Sequence, residues 1–246
     1  MQQPVSRDPS ETGGIVWRAL LLIVSGTAAL IYQVLWIKQL TLIVGVDVYA
    51  ITTGVGAFFA GLALGGLLLG RFVDRFQRPL RFYATLEMGV ALVGVLVTMA
   101  LSHTAALFVT LEEQSGVLAW GLIFLMVGVG PFLMGGTLPA MVRSLRLTED
   151  RIGSGGGLMY GANTAGAIIG ALVSSFLLIP ALGILGSALT AAALAYSPRR
   201  ADSGSIVSHQ TKPASHNNRI VHRLRNRPRS PFFSMPLPVV WRLGMK

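Results

Sequence analysis

Apolar runs of about 20 residues alternate with short polar clusters along most of this chain. The runs cover residues 15–36, 48–70, 82–101 and 117–142, a fifth that begins after Gly153 to Gly157 and ends near Pro180, and a sixth from Gly183 to Tyr196. About 20 predominantly apolar residues cross the hydrocarbon core of a bilayer as a helix. The pattern therefore predicts an all-α, polytopic transmembrane bundle of about six spans. The sixth is short: from Ile184 to Tyr196 a helix reaches only ~20 Å, against a core of ~30 Å. Flanking segments are polar, with residues 1–14 read as a disordered lead and residues 197–246 as a disordered tail.

Within the runs, glycine is placed at helical spacing. Gly61, Gly65 and Gly66 in the second, and Gly166 and Gly170 in the fifth, leave room for a neighbouring helix backbone to approach. The fourth run contains Gly130-Pro131 near its middle and Gly135-Gly136-Thr137-Leu138-Pro139 near its end, where the missing amide donor of proline predicts a kink or break. The second run ends abruptly at Gly70 and is followed by Arg71, Asp74, Arg75, Arg78 and Arg81. This cationic collar marks a membrane surface. Cytoplasmic loops collect Lys and Arg, and alternation puts the collar, Arg143, Arg146, Arg151 and the tail on one side, with Glu112 and Glu113 on the other. The expected location is the bacterial inner membrane, crossed several times, with both termini in the cytoplasm.

Composition agrees: 52% of the 246 residues are hydrophobic, 12% are charged and the mean hydropathy is +0.63, outside the range of soluble domains. The chain has no cysteine, which excludes disulfides and thiolate chemistry. Its net charge of +10 is a tail property, because residues 1–196 hold ten basic and nine acidic side chains and residues 197–246 ten and one. The basic tail suits anionic lipid headgroups or nucleic acid, and its position after a cytoplasmic membrane end favours lipid over nucleic acid. An unselected, out-of-frame peptide is a third reading. Four scattered histidines give no metal-ligand spacing, so no metal is expected.

Glu87 is the first candidate functional residue. It falls about one and a half turns inside the third run, where an ionisable group marks a cation or proton site. The alternative is an interfacial carboxylate paired with Arg81 or Arg143. Asn163, with Tyr160 and Thr164 nearby, lies about two turns into the fifth run from the same side, a placement that would let it share a polar cavity with Glu87. The favoured reading is the plainer one, a hydrogen bond between helices.

Two layers of resemblance follow. The loop GRFVDRFQRP resembles the Gly-x-x-x-Asp-Arg-x-x-Arg motif of the major facilitator superfamily, matched by Gly70, Asp74, Arg75 and Arg78. That implies one six-helix half of a twelve-helix fold, and a loop whose charges contact neighbouring helix ends and bias a conformational equilibrium. The blocks SGTAALIYQVLW, GLALGGLLLGRFVDRFQRPLRFYATLE, LMGGTLPAMVR and GLMYGANTAGAIIGALVSSFLLIPALG together resemble the membrane part of fused, spermidine synthase-like bacterial proteins. In that family a facilitator-like domain precedes a cytoplasmic aminopropyltransferase domain, which binds decarboxylated S-adenosylmethionine through a glycine-rich loop followed by acidic residues. Here Gly155-Gly156-Gly157 is followed by Leu158 and Met159, and it precedes a span rather than joining a strand to a helix. No cofactor and no catalytic residue is therefore expected in this chain, which reads as a truncated or frame-shifted relative.

Three functions are open. One is a membrane module that anchors or regulates a separate aminopropyltransferase domain in polyamine metabolism. Another is a half-size transporter of a small cation such as a polyamine, acting with a second six-span unit or as a homodimer. The third, an enzyme in its own right, lacks the cofactor loop and clustered carboxylates.

Overall fold

A computed structural model describes residues 9–145 and 149–209. The chain divides into two units, Met1–Ser205 and Ile206–Lys246. The bundle belongs to the first, and residues 210–246, including most of the basic tail, lie outside the described residues, as do 1–8 and Arg146. No strand occurs among the described residues.

The elements in order are α1 (Pro9–Val44), α2 (Asp47–Val73), α3 (Pro79–Leu101), the short α4 (Ala105–Gln114), α5 (Gly116–Gly135), α6 (Thr137–Ser144) and α7 (Glu149–Val173). A π-helical turn (Ser174–Leu178) and α8 (Ile179–His209) follow. Five stretches are long and apolar enough to cross a membrane: Gly13–Val44, Asp47–Val73, Pro79–Leu101, Gly116–Ser144 and Ile152–Tyr196.

Three boundaries differ from the sequence expectation. Helix α1 takes in residues 9–14 of the expected lead and runs on through Lys38, so only Gly45 and Val46 connect it to α2. The reversal there uses Gly45 at φ +75°, a conformation that costs glycine little. Helix α5 continues through Pro131, and of the two expected places the interruption falls at the second, at Gly136 between α5 and α6. The last apolar stretch is 45 residues long, enough for two crossings. It is divided at Gly183, whose φ of +65° and ψ of −171° are not helical. Beyond this kink the chain returns toward the bundle, because Ala188 reaches Tyr32 and Ala191 and Ala195 join the same core. Helix continues to His209, but the apolar stretch ends at Tyr196, so the part beyond Gly183 remains short for a crossing.

Glycine sets the closest helix contacts. A β-carbon on Gly61 would meet Gly128 O at 2.5 Å and Pro131 at 2.8 Å, and one on Gly65 would run into the Phe132 backbone. Contacts advance together along α2 and α5, so these two helices are parallel neighbours. Helices α1 and α7 pair likewise, with Gly166 against Ile23, Gly170 against Thr27 and Gly26 against Asn163. Gly66 is looser, its added β-carbon standing 3.5 Å from Gly135 O. Bare glycine surfaces allow this backbone approach, where dispersion and hydrogen bonding replace the hydrophobic drive that lipid removes.

Candidate functional site

The buried side chains of α3 are Tyr83, Leu86, Glu87, Val90, Gly94, Thr98 and Leu101, an i, i+3, i+4 stripe that faces α1. Helix α1 answers with Leu21, Ser25, Tyr32, Trp36 and Gln39 at matching spacing. Five polar side chains donate across the seam between the two helices. Tyr83 donates to Leu21 O (3.3 Å), Ser25 Oγ to Glu87 Oε1 (2.5 Å), Tyr32 to Ala91 O (3.3 Å), Trp36 Nε1 to Thr98 Oγ1 (3.1 Å) and Gln39 Nε2 to Thr98 O (2.8 Å). The partners advance in step, so α1 and α3 are parallel.

Glu87 is thus an inward member of this ladder, only 2% exposed. Its partner is a hydroxyl. Neither Arg81 nor Arg143 reaches it: Arg81 is exposed, and Arg143 pairs with Asp74. This overturns the reading of Glu87 as an interfacial carboxylate paired with one of those arginines, because the helical register that places Tyr83 and Val90 inside carries Glu87 inside with them.

Tyr160 does not join Glu87. It is 63% exposed, and Thr164 is exposed as well, its hydroxyl spent on Tyr160 O (3.0 Å). Met159, Gly166 and Gly170 occupy the inward face of α7, and one residue on from Met159 the helix has turned about 100°. Asn163 is half-buried, and its backbone carbonyl packs on Gly26. The alternative, a polar cavity shared by Glu87, Tyr160, Asn163 and Thr164, is therefore not formed.

At the arginine-rich end, Asp74 caps the C-terminus of α2. Arg143, in the last turn of α6, grips it through Nη1 to Oδ1 and through Nη2 to Asp74 O (2.7 Å). Arg18 Nε reaches Ser144 at the same end (3.0 Å). Gly70 packs against Pro139 at ordinary contact distance, and Arg75 and Arg78 are exposed. The Asp74 side chain is 71% exposed and that of Arg143 39%, so water and salt screen the pair, and Arg143→Gln is expected to cost at most ~1 kcal/mol, and less in high salt. Melting curves of wild type and variant in detergent at two salt concentrations check this. A large, salt-independent loss would contradict it.

Sequence reasoning missed the α1–α3 ladder. Its signal was present, since Ser25, Tyr32, Trp36 and Gln39 share one helical stripe, but polar residues so sparse in apolar runs do not announce a partner. Two buried polar atoms, Gln39 Oε1 and Ser174 Oγ, have no hydrogen-bond partner among the described residues. No group of three or more His, Asp or Glu side chains suited to a metal occurs among the described residues.

This geometry defines a class: an all-helical bundle whose long helices are apolar enough to cross a membrane, held by glycine contacts and a buried polar ladder. No family model matches the chain, and no solved structure matches it significantly. Among curated proteins it is weakly similar to the polyamine aminopropyltransferase of Corynebacterium efficiens, with 29% identity over 181 residues. That alignment takes in 72% of this chain and 33% of the relative, so the chain spans about a third of the length of the protein it resembles.

Proposed function

We propose that this chain is a membrane module of polyamine metabolism, which anchors or regulates an aminopropyltransferase domain at the bacterial inner membrane. The observation that carries this reading is the 181-residue similarity to a polyamine aminopropyltransferase, whose length is about that of the whole helical bundle. The orientation rests on charge. Arg71, Arg75, Arg78, Arg81 and Arg143 gather at one end, and Glu112 and Glu113 lie in or beside the connection between α3 and α5, so the arginine end belongs in the cytoplasm. A catalytic partner domain would meet the bundle on that side.

The test is fractionation of the source bacterium with and without the gene. Aminopropyl transfer to putrescine should sediment with the membranes, fall when the gene is deleted and return on complementation. Activity that remains soluble and unchanged after deletion sinks the proposal.

A second reading is favoured by one specific observation, the enclosure of Glu87 against Ser25 in the middle of the ladder. In this reading the bundle is a half-size, facilitator-like transporter that pairs with a second six-span unit, and Glu87 binds the cation. Gln at position 87 keeps the shape and an acceptor for Ser25 but removes the titratable group. Glu87→Gln is expected to lower uptake of labelled putrescine into proteoliposomes at least about tenfold, a loss of roughly 1.4 kcal/mol or more, with melting nearly unchanged. Equal uptake by the variant would remove Glu87 from any such site.

A further inference from the structure

The hairpin between α2 and α3 carries a feature that neither the anchoring nor the transport reading uses. Phe76, Gln77, Arg78, Arg81, Phe82 and Thr85 line an open cavity of about 320 Å³. Its apolar wall is an aromatic cluster: the rings of Phe76 and Phe82 lie 4.7 Å apart, and Phe72 stands 5.4 Å from Phe76. Both guanidinium groups are exposed, and no ion pair joins either of them to a carboxylate among the described residues, since Asp74 is held by Arg143.

The face of α3 that leads away from the cavity is also exposed. Arg81, Thr85, Met88, Leu92, Leu96 and Met99 follow one another at intervals of three or four residues, and all six are exposed. A charged and aromatic mouth thus opens onto an apolar track, Met88 to Met99, about 17 Å long at 1.5 Å per residue. A soluble anion would use only the mouth. A molecule with a phosphate at one end and acyl chains at the other matches both.

From this juxtaposition we propose that the α2–α3 hairpin is a binding site for an anionic glycerophospholipid. Arg78 and Arg81 hold the phosphodiester, Gln77 and Thr85 offer polar groups to the glycerol region, and Phe76 and Phe82 pack beside the first carbons of the chains. The acyl chains lie along Met88, Leu92 and Leu96. Guanidinium groups suit this role because their planar donors match phosphate oxygens in pairs, and basic clusters at a helix end attract anionic headgroups. The site is separate from Glu87 and does not depend on either function proposed above.

The experiment is a lipid titration of the purified full chain in detergent, read by native mass spectrometry with phosphatidylglycerol and phosphatidylcholine as probes. Wild type is expected to retain phosphatidylglycerol at least about tenfold better than phosphatidylcholine, and the double variant Arg78→Gln, Arg81→Gln to lose that preference. Lys38→Gln, which removes a cation elsewhere on the surface, should keep it. Equal retention of both lipids by wild type overturns the proposal without recourse to any variant. So does an unchanged preference in the double variant. Displacement of phosphatidylglycerol by millimolar inorganic phosphate would identify a soluble anion as the ligand and overturn the lipid assignment.

Discussion

Gly65→Ala is expected to melt far below wild type, or to fail to assemble, although it adds a single methyl group to an apolar helix. That methyl would meet the backbone of Phe132 on α5, which cannot rotate aside as a side-chain tip can. Helices α2 and α5 would have to separate along their whole contact. Overpacking typically costs ~1–3 kcal/mol, and a clash against backbone belongs at or beyond the upper end. Gly66→Ala supplies the comparison. It lies one residue away in the same helix, yet its methyl would sit at ordinary contact distance from Gly135 O. Thermal melts and size-exclusion profiles in detergent should show Gly66→Ala close to wild type and Gly65→Ala grossly impaired. Similar behaviour of the two would mean that α2 and α5 do not pack as described.

Trp36→Ala is expected to have the next largest effect, ~3–5 kcal/mol. The indole is fully buried, stacks on Tyr32 at 5.5 Å, donates to Thr98 and packs against Gly130. Its removal opens a void where α1, α3 and α5 converge. Trp36→Phe keeps most of the packing and loses the N–H donor, so it should cost only ~0.5–1.5 kcal/mol beyond any change in fit. Thr98 stays partnered in that variant, because its own hydroxyl donates to Gly94 O (2.8 Å). Unfolding in a denaturing detergent, followed by the fluorescence of the remaining tryptophans, separates the two. If alanine and phenylalanine cost the same, the ring is not a core element.

The long apolar runs were legible because span length and charge clustering are imposed by the solvent, whichever partners a helix finds. Glycine spacing is likewise visible in the sequence: Gly61, Gly65, Gly166 and Gly170 repeat at helical intervals, and a β-carbon on each would meet a neighbouring backbone, while Gly66 is looser. Helix ends were less so. Residues 9–14 look polar and loose, but the backbone continues a helix already begun by the apolar residues that follow. The register of α7 was misjudged because Met159 and Tyr160 are adjacent and both plausible inside; which one turns inward is decided by Gly166 and Gly170, further along, through their contact with α1. The environment of Glu87 was unreadable for the same reason. Its partner, Ser25, is 62 residues away, and nothing local distinguishes a hydroxyl from the nearby arginines.

The ladder also bears on how the protein is made. Helix α1 leaves the ribosome before the helices it pairs with: its partners on α3 follow about 60 residues later and its glycine contact with α7 about 140 residues later. Until they arrive, a newly inserted α1 holds Ser25, Tyr32, Trp36 and Gln39 without the α3 groups that satisfy them. Insertion machinery that sheltered α1 until α3 was complete would spare it exposure to lipid, and the rate of synthesis over residues 44–101 would then set how long the shelter is needed.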